Sequence, residues 1–206
     1  MENNYRYFNR DISWLSFNYR VLLEAADASV SLYDRINFIS IYSSNLEEFY
    51  KVRVAEHKAV ARGGYSEDMT QEEATELIIR IADEVNKQLE DRIRIFQEGI
   101  LPELRRNHIV FYQSMQEVEE AHKEYITNYF REEIFPYLQP VPVSRSRVKV
   151  FLRADRLYLC TRLIRKDNRV TEYYIIKLPY SKVPRFVELP QQNGCYYLMY
   201  MEDIIK

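Results

Sequence analysis

Asn45 is the uncharged residue of this chain best placed to do chemistry. It follows Ser43 and Ser44 and stands inside the apolar series Ile39, Tyr42, Leu46, Phe49, Tyr50 and Val54. The three- and four-residue steps of that series predict one buried helix face. A small amide at its edge either kinks or caps the helix, or is a hydrogen-bonding group offered to something outside it.

The charged and nucleophilic candidates point to less. Glu47 and Glu48 are adjacent, so on a helix they diverge by roughly 100° and cannot form a facing acid/base pair. They predict a solvated face, with Lys51 within reach of either. Ser43 and Ser44 have neither a nucleophile-elbow context nor a nearby general base, which argues against a hydrolase. His57 is placed on the polar side of its helix, His108 opens a strand, and His122 falls four residues after Val118 near an apolar stripe. None has a metal-type partner three or four residues on, so all three read as structural or solvent-exposed. No catalytic or metal-ligating residue is read from the sequence. Arg145, Arg147 and Lys149 alternate, which on a strand puts them on one face, and Arg153 and Arg156 continue the patch. Such a ladder is either the wet side of a sheet or a track for a polyanion. Cys160 and Cys195 lack metal-type spacing and read as reduced, structural thiols.

The elements that must carry these residues differ between the halves. Ile12, Leu15, Tyr19, Leu22, Leu23 and Ala26 form one helical stripe opening at Asn9 or Asp11. A second helix is expected from about Ser31 to Arg62, bent around Ser43–Asn45 and ended by Gly63-Gly64. Thr70 to Glu73 has capping-box spacing, and a stripe from Ala74 through Leu89 to Phe96 continues until Gly99 and Pro102. After about Asn107 the pattern changes. His108–Tyr112 reads as a short strand, and Ser114 to Glu117 as a second capping box before a helix stopped by Pro136. Val148–Leu152, Leu157–Ile164 and Val170–Leu178 read as an antiparallel meander. Tyr196–Met201 reads as a further strand, and Glu202–Lys206 as the first turn of a helix that continues elsewhere. The fold class is thus α+β: a helical bundle over residues 1–106, then a partial α+β head with an antiparallel sheet over residues 107–206.

Composition sets the outer bounds. Lys plus Arg number 29 against 31 Asp plus Glu, a net charge of −2, so nothing global draws the chain to nucleic acid or to an anionic membrane. Four Gly in 206 residues, alongside eighteen Tyr and 47% hydrophobic residues, argue against disorder and against Gly-rich phosphate loops. The N-terminus lacks an apolar leader and no run has the length of a membrane span. The expectation is a cytoplasmic protein, with membrane association left open.

The segments NRDISWLSFNYRVLLEA (9–25), INFISIYSSNLEEFYKVRVAE (36–56) and SKVPRFVELP (181–190) closely resemble the N-terminal part of class 1 polyphosphate kinases. These bacterial enzymes reversibly move the terminal phosphate of ATP onto inorganic polyphosphate. The resemblance implies a helical N-terminal domain and the first part of a dimerisation head, with catalytic domains beyond residue 206. It also implies a phosphohistidine outside this chain, Mg2+ bound with ATP by those catalytic domains, and a homodimer or tetramer. Asn45 matches the position that contributes to the adenine side of the ATP site. The fragment alone is expected to be inactive and to associate weakly. The rival reading from the residues alone is a non-enzymatic helical scaffold or dimerisation module.

Overall fold

A computed structural model of the chain describes residues 8–143, 152–153 and 156–206. They fall into two compact units, residues 1–107 and 108–206. The first is helical and the second mixes helices with two small sheets, an α+β chain.

In the first unit, α1 spans Arg10–Glu24, and Asn9 caps it by accepting from the backbone N–H groups of Asp11 and Ile12 at 3.0 and 3.2 Å. With the cap supplied by Asn9, the Asp11 carboxylate is free to turn inward. Helix α2 spans Leu32–Phe49 with Ser31 as its N-cap. It runs through Ser43–Asn45 without interruption, with the Ser43 hydroxyl bonded back to the Ile39 carbonyl at 2.8 Å. The expected bend there is therefore replaced by a π-helical turn further on, at Tyr50–Val54, which leads into α3, Ala55–Ala61. The buried series steps from Phe49 to Val54 and then to His57 and Val60. His57 stands three residues after Val54 and seven after Tyr50, on the apolar stripe itself, so it lies in the interior rather than on the polar side.

Helix α4, Gln71–Arg94, opens with the expected reciprocal capping box between Thr70 and Glu73. It does not stop at Gly99 or Pro102. A π-helical turn over Ile95–Ile100 carries it into α5, Leu101–Arg106, where Pro102 occupies the first turn and needs no N–H partner. The core gathers Leu15, Leu22, Tyr42, Phe49 and Ile81 from α1, α2 and α4. Buried Arg35 binds the Ala25 carbonyl at 2.8 Å and pairs with Glu103, tying α2 to α5.

In the second unit, β1 is Ile109–Tyr112 and α6 is Glu120–Tyr129, followed by a π turn to Ile134 and a 3-10 turn through Pro136. The Ser114–Glu117 segment caps no helix. Its Glu117 carboxylate turns back to the Gln113 N–H at 3.0 Å, and α6 begins three residues later. Strands β2 (Pro140–Pro142), β3 (Tyr158–Ile164) and β4 (Thr171–Lys177) form one antiparallel sheet in the order β2-β4-β3. The expected strand at Val148–Leu152 and the residues Arg145, Arg147 and Lys149 fall outside the described residues, apart from Leu152.

The other sheet, in the order β1-β6-β5, lies outside the expected meander. Strand β5, Phe186–Gln192, pairs antiparallel with β6, Cys195–Tyr200, across Asn193-Gly194, both with positive φ. Strand β6 then pairs parallel with β1, a long-range contact that alternation alone does not reveal. Helix α7, Met201–Ile205, follows β6 directly. Tyr112, Ile126, Ile134, Leu189, Tyr197 and Met199 are the centre of this unit's core.

Candidate functional site

Asn45 sits half-buried on α2 and donates from Nδ2 to Asn18 Oδ1 at 3.0 Å. Asn18, fully buried on α1, donates in turn to the Tyr42 carbonyl at 3.1 Å. The Tyr42 hydroxyl, whose pKa burial raises to about 12, donates to Gln88 Oε1 at 3.3 Å. Gln88 on α4 donates to the Leu15 carbonyl at the same distance. A connected line of amides thus crosses an apolar core and fixes three helices against one another. Among the described residues nothing donates to Asn45 Oδ1. That oxygen remains available on a face that also exposes Ile41, Ser44, Glu48 and Val52.

One helical turn along, a cleft of about 460 Å³ opens between α1 and the end of α2. Its walls include Trp14 and Phe49, stacked at 4.6 Å between ring centroids, with Arg10, Glu48, Val52 and Arg53 around them. Aromatic and guanidinium groups together suit a planar or anionic group. At the edge of this cleft Asp11 accepts from His57 Nε2 at 2.8 Å and from Arg53 Nε at 3.0 Å. Burial alone would raise the Asp11 pKa. The hydrogen bonds and charges of Arg53 and His57 outweigh it and hold the carboxyl below its ordinary value. Arg53 is raised, chiefly by its hydrogen bond to Asp11.

The remaining candidates are accounted for locally. Glu47 pairs with Lys51 at 2.6 Å on the surface, as the spacing predicts. His122 is fully buried in the second unit: its Nε2 donates to the Pro190 carbonyl at 2.9 Å, and its Nδ1 meets the Tyr112 hydroxyl at 3.2 Å. His108 opens β1 with φ 61° and lies 3.8 Å from the Cys195 sulfur. Arg153 and Arg156 are exposed. Among the described residues no group of three or more His, Cys, Asp or Glu could hold a metal ion, and no helix is long and apolar enough to cross a membrane.

Sequence reasoning missed Asn18, Gln88 and the Asp11–His57 pair. The first two carried a signal. Asn18 stands in register with Leu15 and Leu22, and Gln88 with Ile81 and Val85, polar residues on apolar stripes.

The model of the polyphosphate kinase N-terminal domain matches residues 7–112. The chain belongs to the polyphosphate kinase family. The model of the polyphosphate kinase middle domain matches residues 121–206. The polyphosphate kinase of Vibrio parahaemolyticus is 35% identical over 91% of this chain, and that of Escherichia coli 36% identical over 90%. A crystal structure of polyphosphate kinase from Porphyromonas gingivalis aligns with a TM-score of 0.85 and 42% identity over 99% of the chain. The chain spans only 26% of the length of the Vibrio and Escherichia enzymes and 30% of the crystallised one.

Proposed function

We propose that this chain is the N-terminal part of an enzyme that reversibly transfers the terminal phosphate of ATP to inorganic polyphosphate, and that its α2 face holds the adenine. The observation that carries this reading is Asn45: an amide anchored from below by Asn18, with its acceptor oxygen left open on an exposed face. An adenine edge offers both donors and acceptors, and an amide can meet either. The phosphohistidine intermediate is assigned to catalytic domains outside these residues. His57 and His122 are buried and already bonded to Asp11 and to the Pro190 carbonyl, which supports that assignment. The Mg2+ that accompanies ATP neutralises phosphate charge during transfer. No residue of this chain is assigned to it. The second unit is the candidate dimerisation head, giving a homodimer or tetramer in the complete enzyme, and this chain alone neither phosphorylates itself nor makes polyphosphate.

Asn45→Ala in the full-length protein tests the site. Loss of one neutral hydrogen bond costs about 0.5–1.5 kcal/mol, roughly a three- to ten-fold rise in KM for ATP, with autophosphorylation at saturating ATP retained. A purely structural Asn45 gives the opposite pattern: a lower melting temperature with KM unchanged. That result overturns the adenine assignment.

A further inference from the structure

We propose that Asn18 dictates which edge of the Asn45 amide faces outward, and that this lock makes the site select a 6-amino purine over a 6-oxo purine. The inference rests on Asn45 meeting the purine at its 6-position. The Tyr42 carbonyl can only accept a hydrogen bond. Asn18 is 0% exposed and must present its NH2 group to that carbonyl, as it does at 3.1 Å. Its Oδ1 therefore faces Asn45. An oxygen also only accepts, so Asn45 presents Nδ2 to it, at 3.0 Å.

Rotating the Asn45 amide by 180° would set two acceptor oxygens against each other and leave Asn18 Oδ1 unsatisfied in the core. An asparagine on an open helix face can flip to suit either partner; this one cannot. Its Nδ2 spends one of its two N–H groups on Asn18, and Oδ1 is the acceptor left without a partner among the described residues. The exocyclic 6-amino group of adenine is a donor and complements it, whereas hypoxanthine and guanine carry an oxygen at that position. A site built around one fixed polar group rejects the mismatched analogue because one of the two groups is left unpaired. Asn18 is thus a positioning residue, and its role explains an amide buried in register with Leu15 and Leu22 on α1.

The test compares ATP, purine riboside triphosphate (hydrogen at the 6-position) and ITP (oxygen there) as substrates of the full-length protein. With a locked amide the wild type ranks ATP first, the purine nucleotide about three- to ten-fold lower in kcat/KM, and ITP lowest. An amide free to flip accepts ITP at least as well as the purine nucleotide, and that ranking overturns the proposal without any variant. Asn18→Leu removes both bonds and lets Asn45 turn. It should bring ITP up to or above the purine nucleotide, mainly through KM. Asn18→Asp keeps an acceptor toward Asn45 in either protonation state, so it should preserve the wild-type ranking even where its melting temperature falls. Equal loss of ranking in both variants would assign the effect to packing and reject the lock. If Asn18→Leu does not fold, the wild-type ranking and Asn18→Asp still decide. A raised KM for ATP in Asn45→Ala alongside free-flip ranking rejects the lock alone, while an unchanged KM rejects the adenine reading beneath it.

Discussion

The two units of this chain solve the same problem, holding elements in register, by different means. The helical unit buries Asp11, Asn18, Arg35, His57 and Gln88, each hydrogen-bonded to another element. Among the described residues of the second unit His122, with the Tyr112 hydroxyl against it, is the only fully buried side chain that is charged, amide or imidazole. Packed helices satisfy their backbone groups internally, so nothing in the backbone fixes how one helix slides on another. Side-chain amides and ion pairs set that register here, as buried polar groups do in helical assemblies. In the sheet the backbone ladder sets it, from Ile109 opposite Tyr196 to Val187 opposite Met199, and the core can be apolar.

The largest loss of stability is expected at the apolar core that each unit has of its own. Leu22→Ala in α1 and Met199→Ala in β6 each truncate a fully buried side chain and should each cost about 2–5 kcal/mol in chemical denaturation. A cost below about 1 kcal/mol at Met199 would mean that the second unit does not stand on its apolar core.

A smaller effect is expected where the units differ. Asp11→Asn keeps the shape of the side chain but removes the charge that pairs with Arg53 and His57, at a cost of about 1–3 kcal/mol at neutral pH. Because the folded-state pKa of Asp11 is depressed, its contribution is complete above the ordinary value of 3.8 and is lost as pH falls through the lower folded value. The acid limb of a stability–pH profile should therefore be flatter in Asp11→Asn than in the wild type. Parallel acid limbs would remove Asp11 from the list of register-setting groups. The smallest effect belongs to the hairpin. Asn193 holds φ at 51°, a conformation that Asn tolerates and Ala does not, so Asn193→Ala should cost ~1 kcal/mol. No loss at all would show that β5 and β6 keep their register without the turn.

Much of the helical unit was legible because caps and stripes are local. Thr70 and Glu73 form the capping box that their spacing predicts, Asn9 and Ser31 cap as their types favour, and Gly63 takes the positive φ that ends α3. The β5–β6 hairpin was legible too but went unread, although Asn193-Gly194 between two apolar runs is a strong two-residue turn signal. The Ser114–Glu117 spacing misled, since the same side-chain chemistry can close a turn as readily as cap a helix.

Local sequence accounts for most of the helices, for the caps of α1, α2 and α4, and for a resemblance strong enough to single out Asn45. The tertiary structure alone decided where the polar groups go. His57 meets Asp11, 46 residues away in the chain, and β1 finds β6 across more than eighty residues. Local periodicity turns His57 inward but names the partner in neither pairing. The state of Asn45 is of the same kind: its residue type states that it can donate and accept, but only Asn18, 27 residues earlier and buried on another helix, engages its Nδ2 and leaves its Oδ1 without a partner among the described residues.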